Sequence, residues 1–343
     1  QSDDAVLLVD AHVIYDGRLL KWACEWDKSS VLVDSKPEGI RHERIRVQDK
    51  VFAGLARVDK EQFIQALKDA AEPVLVAEQV ATAQGLEAVD VETLPRYNLA
   101  IRRALRPYWI EVRDLEDQKT ARWIMAKSVS KGHMEWWVYL INRPAETFIS
   151  YFLAETPITP NQVTIMCNLV AFGATALFVL GHWWWALGMA VAVGILDGLD
   201  GRQARVQIKT SKLGELEHLF DKVYEVSWMI AIGWFLSNGF SQQIFIWWTA
   251  GWIAAHFIDN GTYSLYRAKR GIILDEASPI DAAIRFVASN RNTNVAFFLI
   301  GMALGRPLET FYVVVLWNAA TALIHWLRVA VLLLRPATDH VKA

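Results

Sequence analysis

The sequence predicts an N-terminal α/β domain followed by an all-α, polytopic membrane domain of six transmembrane helices. Three observations predict it. Residues 1–135 carry charges throughout, whereas Thr156–Leu196, Val226–Ile258, Asn292–Gly305 and Thr310–Leu327 contain no Lys, Arg, Asp or Glu. A bilayer-crossing helix needs about 20 mostly apolar residues, and the first of those intervals is long enough for two. Before residue 130, short apolar runs alternate with a helical pattern, the mark of α/β structure. A composition of 53% hydrophobic residues with 16 Trp over 343 residues would pass for an oily soluble protein, so it is the segregation that decides the class.

Taken in order, AVLLVDAHVIYD is an apolar run ending in Asp10 and then a second run. SSVLVDS and IRVQDKVFAGLARVD supply further strands, and KEQFIQALKDAAE reads as an amphipathic helix. YWIEVRDLEDQKTARWIMAKSV closes this domain, set at 1–130. Cys24 and Cys167 lie far apart in different domains, so no disulfide is expected and both are assigned to packing. A net charge of −2 gives no nucleic-acid footprint. The chain starts at Gln1 without Met or a signal peptide, and a processed or trimmed N-terminus is expected.

Residues 131–157 form a juxtamembrane segment. Trp136, Trp137, Leu140, Ile141, Phe148, Ile149 and Phe152 recur at near-helical spacing around the polar Asn142, Arg143 and Glu146, which suits a helix lying in the membrane surface. TPITPN then breaks it, and Pro160 restarts a helix at its first turn. The membrane domain, 158–336, is read as six spans at roughly 161–181, 184–205, 214–237, 243–266, 292–305 (extended upstream by AAIRFVAS) and 309–334. Arg202, Arg205, Lys209 and Lys212, then Arg267, Lys269, Arg270 and Arg285, place alternate loops and both termini on the cytoplasmic side of the inner membrane. Trp183–Trp185 and Trp247, Trp248 and Trp252 suit an interfacial aromatic belt, or core packing.

One stretch departs from this apolar pattern. Straight after WWWALGMAVAVGIL comes DGLDGRQARVQIKTSKLGELEHLFDKVYE, and a carboxylate inside a bilayer costs roughly 2.5–3.5 kcal/mol on insertion scales. Asp197 and Asp200 are three apart on one helix, and Glu217 and Asp221 four apart on the next, so each pair shares a face. Two antiparallel helices presenting such pairs form a cage of hard oxygen ligands suited to Mg2+ or Mn2+. Gly198, Gly201 and Ala204 remove bulk beside the acids, while Arg205, Lys209 and Lys212 supply charge for phosphate oxygens. Together these point to a phosphate ester, with a diphosphate favoured. The plainer alternative is that the acids are loop residues paired with Arg202, Arg205 and Lys222.

The segment D-G-L-D-G-R-Q-A-R from Asp197 to Arg205, then eight residues, then Gly214, resembles the signature of the CDP-alcohol phosphotransferase family. That signature continues with three residues, Asp, three residues, Asp. Here the end departs from it, because Glu217 and Asp221 fill those places only with one residue missing after Gly214, and an ungapped register would put His218 and Lys222 there. TPNQVT at 159–164 is similar to the family's opening motif, and six spans is the family's number. The resemblance implies a membrane transferase that joins a CDP-linked alcohol to a second alcohol through a phosphodiester and releases CMP. It implies Asp197, Asp200, Glu217 and Asp221 as ligands of one or two divalent ions, with Asp221 also the catalytic base on the acceptor hydroxyl. Asn161, Thr164, Gly201, Ala204, Arg205 and Gly214 would form the CDP pocket. A homodimer is also implied.

LLVDAHVIYDGRLL is similar to the interior of sugar-nucleotide pyrophosphorylases, with His12 where their second acid stands and without their glycine-rich nucleotide loop. The N-terminal domain is therefore expected to be nucleotidyltransferase-like but incomplete or degenerate. The whole arrangement resembles fusions that make CDP-inositol and condense it with inositol phosphate, which favours a polyol-phosphate acceptor over a lipid alcohol. His256 with Asp259, followed by Arg267, Lys269 and Arg270, would form an acceptor pocket, or else a capped helix end. The rival readings are a divalent-metal transporter and an inactive scaffold of the same fold. The glycine–alanine–arginine wall beside the acids speaks against transport.

Overall fold

In a computed structural model of the chain, the described residues are 5–38, 41–69, 80, 86–99, 101–132, 135–207 and 213–334, without the side chains of 69, 207 and 213–218. They divide into two compact units, Gln1–Ser128 and Val129–Ala343.

The first unit is α/β. Its elements are β1 (Ala5–Val9), β2 (Val13–Tyr15), α1 (Gly17–Glu25), β3 (Ser30–Asp34), β4 (Arg46–Val47), β5 (Lys50–Asp59), α2 (Lys60–Asp69), β6 (Glu87–Asp90), β7 (Tyr97–Asn98), β8 (Arg103–Ala104), β9 (Trp109–Glu111) and α3 (Leu115–Ser128). The main sheet runs β1-β5-β3-β6, with β4 on β5. Only β3 and β6 are parallel in it. The β4–β5 hairpin turns at Gln48 and Asp49, both at positive φ (51° and 63°), the backbone whose twist matches the strands it joins. Alternate side chains build two cores. Val31, Val33, Phe52, Ala56 and Val58 pack on one face, while Leu32, Ala53 and Leu55 meet Leu19, Ala23 and Trp109 on the other. Gly54, at φ +82°, lies where a side chain would run 2.7 Å from the Asp10 Cβ, so the sheet closes there only over glycine.

The second unit is helical: α4 (Arg143–Leu153), α5 (Pro160–Val179), α6 (Trp183–Gln207), α7 (Leu213–Leu236), α8 (Gln243–Arg270), α9 (Pro279–Val287), α10 (Arg291–Ala303) and α11 (Pro307–Leu334). Thr159 and Gln162 form a reciprocal capping box, with Pro160 in the first turn of α5. The helix α5 packs against both α6 and α7, α8 against α11, and α10 against α6 and α11. Ala171 and Ala174 of α5 meet Ala186 and Ala190 of α6 in the core, small residues that let apolar helices approach closely. Outward rows are apolar as well, with Leu169, Trp185, Trp247 and Leu316 all more than half exposed. Two helices, Pro160–Val179 and Pro307–Leu334, are long and apolar enough by length and composition to cross a membrane.

Two expectations change and two are narrowed. The fifth span is not one helix: Ala288 and Asn290 are extended, Asn290 caps α10 through the Thr293 amide, and the upstream apolar run becomes the separate helix α9. With 13 residues, α10 is about 20 Å long, short of a hydrocarbon core of about 30 Å. Trp183 and Trp252 are buried core residues, so of those clusters only Trp184, Trp185 and Trp247 are well exposed. Cys24 is exposed and does not pack, while Cys167 is buried as expected. The juxtamembrane segment is amphipathic with its polar side inward. Asn142, Glu146 and Ser150 are buried, whereas Tyr139, Leu140, Phe148 and Phe152 face out.

Candidate active site at the carboxylate cluster

The DGLDGRQAR segment is the C-terminal part of α6, and its helical period sorts it into two faces. Gly198 and Arg202, four apart, face α4. A Cβ at Gly198 would overlap the Glu146 carboxylate, so glycine is what lets α4 lie against the segment. Arg202, 1% exposed, donates from Nε to Glu146 Oε2 at 2.8 Å and from Nη1 to Thr147 Oγ1 at 3.2 Å. Gln203 Nε2 donates to the carbonyls of Leu153 and Ile158, both at 3.1 Å, tying down the connection between α4 and α5. Arg202 therefore pairs with Glu146 of α4, a partner outside its own segment.

The other face carries Asp197, Asp200, Gly201, Ala204 and Arg205. Asp200 is buried and accepts a hydrogen bond from Thr164 Oγ1 at 2.9 Å. Thr164 sits in the second turn of α5 because the Thr159–Pro160 cap starts the helix just there. Gly201 lies against the Arg205 guanidinium, whose Nη1 stands 3.3 Å from the place a Cβ at Gly201 would occupy. Arg205 Nε donates to the Val129 carbonyl at 3.1 Å. Asp197 and Asp200 stand on α6 and Asp221 on α7, the two helices that α5 packs against. The side chains of Gly214, Glu217 and His218 and the residues Lys209 and Lys212 lie outside the described set.

Arg291, at the start of α10, was not anticipated from the sequence. Its Nη2 donates to Asp197 Oδ2 at 2.6 Å, its Nη1 lies 3.6 Å from Glu225 Oε1, and it also contacts the Tyr224 hydroxyl. His256 Nε2 stands 3.4 Å from Glu225 Oε2. Glu225 had a signal, since it falls four residues after Asp221 on one helix face; Arg291 had none beyond being a charge at the edge of an apolar run.

The residues expected to hold the acceptor do not gather into one pocket. Asp259 pairs with His325 Nδ1 at 2.6 Å across α8 and α11, and Arg328 holds Asp281 at 2.8 Å. Arg270 donates to the carbonyls of Leu332 (2.7 Å) and Leu333 (3.4 Å), while Arg267 and Lys269 are exposed.

Only one trio of His, Cys or carboxylate ligand atoms among the described residues lies within 4.8 Å, namely His42, Asp114 and Asp117. Those donors are already engaged as a helix cap. Asp114 Oδ1 accepts the Glu116 and Asp117 amides, and Asp117 takes His42 at 2.8 Å, Arg41 at 3.3 Å and the Arg113 amide. The His42 hydrogen bond, then the Arg113 amide, holds the Asp117 carboxyl at about 2. The Asp197, Asp200 and Asp221 set fits a hard divalent cation in its chemistry, being all carboxylate oxygen, though Asp197 is turned to Arg291.

In the first unit Asp10 is engaged by Arg44 at 2.8 Å, and Arg44 by Glu111 at 3.0 Å. Burial pushes the Asp10 carboxyl up, but the His12 amide and Arg44 outweigh it and leave it below the usual range.

The chain matches the CDP-alcohol phosphatidyltransferase family over residues 157–334, more than half of its length, and it belongs to that family. Its similarity extends to two proteins described as bifunctional IPC transferase and DIPP synthase. The one from Aquifex aeolicus is 26% identical over 212 residues, covering 60% of this chain and 47% of the relative. The one from Thermococcus kodakarensis is 32% identical over 132 residues, covering 38% and 30%. The chain thus spans about half the length or less of the curated relatives it matches. Among solved structures it is similar to Mycobacterium tuberculosis phosphatidylinositol phosphate synthase with CDP-DAG bound, at 18% identity and a TM-score of 0.44, over 58% of this chain and all of that one.

Proposed function

We propose that the chain is an integral membrane transferase that moves a substituted phosphate from a CDP-alcohol to an acceptor alcohol and releases CMP. The observation that carries it is the placement of Asp197, Asp200 and Arg205 on one face of α6, with Thr164 of α5 bonded to Asp200, on the segment that bears the family's pattern. The outward apolar rows of α5–α8 and α11 support five full membrane crossings, to which the shorter α10 adds a partial sixth, with α4 in the cytoplasmic membrane surface and both termini in the cytoplasm. The relatives' description favours a polyol phosphate as acceptor, and the family's habit favours a homodimer.

The chain's own residues have these tasks. Arg205 offers the planar donors that grip phosphate oxygens, and Gly201 keeps side-chain bulk off its guanidinium. Thr164 fixes the Asp200 carboxylate. The Asp221 carboxylate takes the proton of the acceptor hydroxyl. The acceptor oxygen then bonds to the phosphorus that carries the donor alcohol, the bond from that phosphorus to the bridging oxygen breaks, and CMP departs with the electron pair. A bound Mg2+ or Mn2+, held by Asp197, Asp200, Glu217 and Asp221, would neutralise the diphosphate and the leaving group. Arg202 and Glu146 act at a distance from this chemistry, fixing the backbone of the segment. The N-terminal unit, with Asp10 tied to Arg44, serves as a degenerate nucleotidyltransferase-like scaffold or substrate supplier.

The experiment is CMP release by the detergent-purified chain with CDP-diacylglycerol or CDP-inositol, a panel of polyol phosphates, and Mg2+, Mn2+ or chelator. Metal-dependent CMP with one donor–acceptor pair supports the reading and names the substrates. No CMP from any pair, by protein that binds the donor, leaves the inactive scaffold.

A further inference from the structure

Arg291 is shared between two carboxylates that belong to different parts of the site. Through Nη2 it holds Asp197 on α6 at 2.6 Å, and through Nη1 it faces Glu225 on α7 at 3.6 Å. Its side chain is 9% exposed, with 17% for Glu225 and 27% for Asp197. Its Nε has no hydrogen-bond partner among the described residues. It also borders a cavity of about 30 Å³ lined by Glu225, His256, Trp252 and Asn294 among others. The guanidinium therefore has a spare donor, a second anion farther off than the first, and space on that second side.

Resting on the reading above, we infer that Glu225 and Arg291 form a counter-charge pair that governs the availability of Asp197. Arg291 and a divalent cation compete for Asp197. When Asp197 turns to a divalent cation, Arg291 moves toward Glu225 and stays neutralised, so no charge is left stranded in a low-dielectric interior. Both are positioning residues; neither touches the reacting atoms. A buried arginine with a single acidic partner could not give that partner up cheaply, and Glu225 is what makes the release feasible.

The test is Mn2+ binding to the full-length purified chain, read by the electron paramagnetic resonance of free Mn2+ and by the Mn2+-induced rise in thermal midpoint, without substrates. Glu225→Gln leaves Arg291 with Asp197 as its nearest charged partner, and Mn2+ affinity should fall about tenfold. Adding Arg291→Gln to Glu225→Gln frees Asp197, so the double variant should bind more tightly than Glu225→Gln alone. Glu225→Asp, which keeps the charge but shortens the reach, should lie between parent and Glu225→Gln, and it serves if Glu225→Gln fails to fold. An unchanged affinity in Glu225→Gln, or a double variant weaker than the single, overturns the inference. Absence of Mn2+ binding in the parent overturns the metal-dependent reading beneath it, and with it this one.

Discussion

The buried pair Arg202–Glu146 gives the sharpest prediction about stability. Their side chains are 1% and 4% exposed, 2.8 Å apart, with Gly198 making room for the carboxylate. Glu146→Leu leaves a guanidinium buried without its anion, and Arg202→Met leaves a carboxylate buried without its cation. Breaking such a pair from one side costs about 3–5 kcal/mol, because the remaining charge stays desolvated. With each kcal/mol shifting the midpoint of a domain this size by about 2–4 °C, either single variant should lose about 10 °C. The double variant Glu146→Leu with Arg202→Met exchanges the pair for apolar side chains of similar length and should return to within about 3 °C of the parent. The assay is thermal unfolding in detergent, followed by Trp fluorescence. Singles that shift by less than about 2 °C, or a double variant that falls by the sum of the singles, would refute the argument from buried charge.

Two other outcomes are expected. Thr164→Val keeps the shape of the side chain but removes the hydroxyl on Asp200; a hydrogen bond to a charged group is worth about 1.5–3 kcal/mol, so CMP release should fall about 10–100-fold and the thermal midpoint should drop by several degrees. In the first unit, burial alone would raise the Asp90 carboxyl, yet Lys50 at 2.9 Å and the Glu92 and Ser35 amides hold it at about 2. A depressed carboxyl stabilises the fold above its unfolded pKa near 4 and loses that contribution as pH falls toward 2, here at most about 2 kcal/mol. Amide-exchange protection in β3 and β5, corrected for the pH dependence of intrinsic exchange, should drop through that window. Lys50→Met should lower protection already at pH 7 and flatten the acid response.

The sequence carried the local rules well and the long-range partners poorly. Charge-free intervals located α5–α8 and α11 because exclusion of charge is a property of each segment alone. The Thr159–Pro160 start was legible because a capping box is local. The fifth span misled because its apolar content said nothing of the extended Ala288 and Asn290 that split it. At the site, i,i+3 spacing puts Asp197 and Asp200 on one face of α6, but Gly198, read as room for a ligand beside the acids, makes room for a side chain of α4 instead. That this side chain is Glu146, and that Arg202 rather than solvent meets it, depends on residues 56 positions apart. Arg291 meets Asp197 across 94 positions, and as a single basic residue beside an apolar run it looks like ordinary cytoplasmic-side charge. The spacing of His256 and Asp259 suggests that the two share one acceptor pocket. Contacts of α8 with α11 and with α7 separate them, so that Asp259 pairs with His325 and His256 stands beside Glu225.

The most direct test of the account is metal-dependent CMP formation by the parent chain beside Asp221→Asn, both purified in the same detergent and both checked for donor binding. The account predicts CMP from the parent in Mg2+ or Mn2+, none in chelator, and a loss of at least about a hundredfold in Asp221→Asn with donor binding retained. Equal CMP from the two proteins would contradict the assignment of Asp221 as the base, and CMP from neither would contradict the transferase itself.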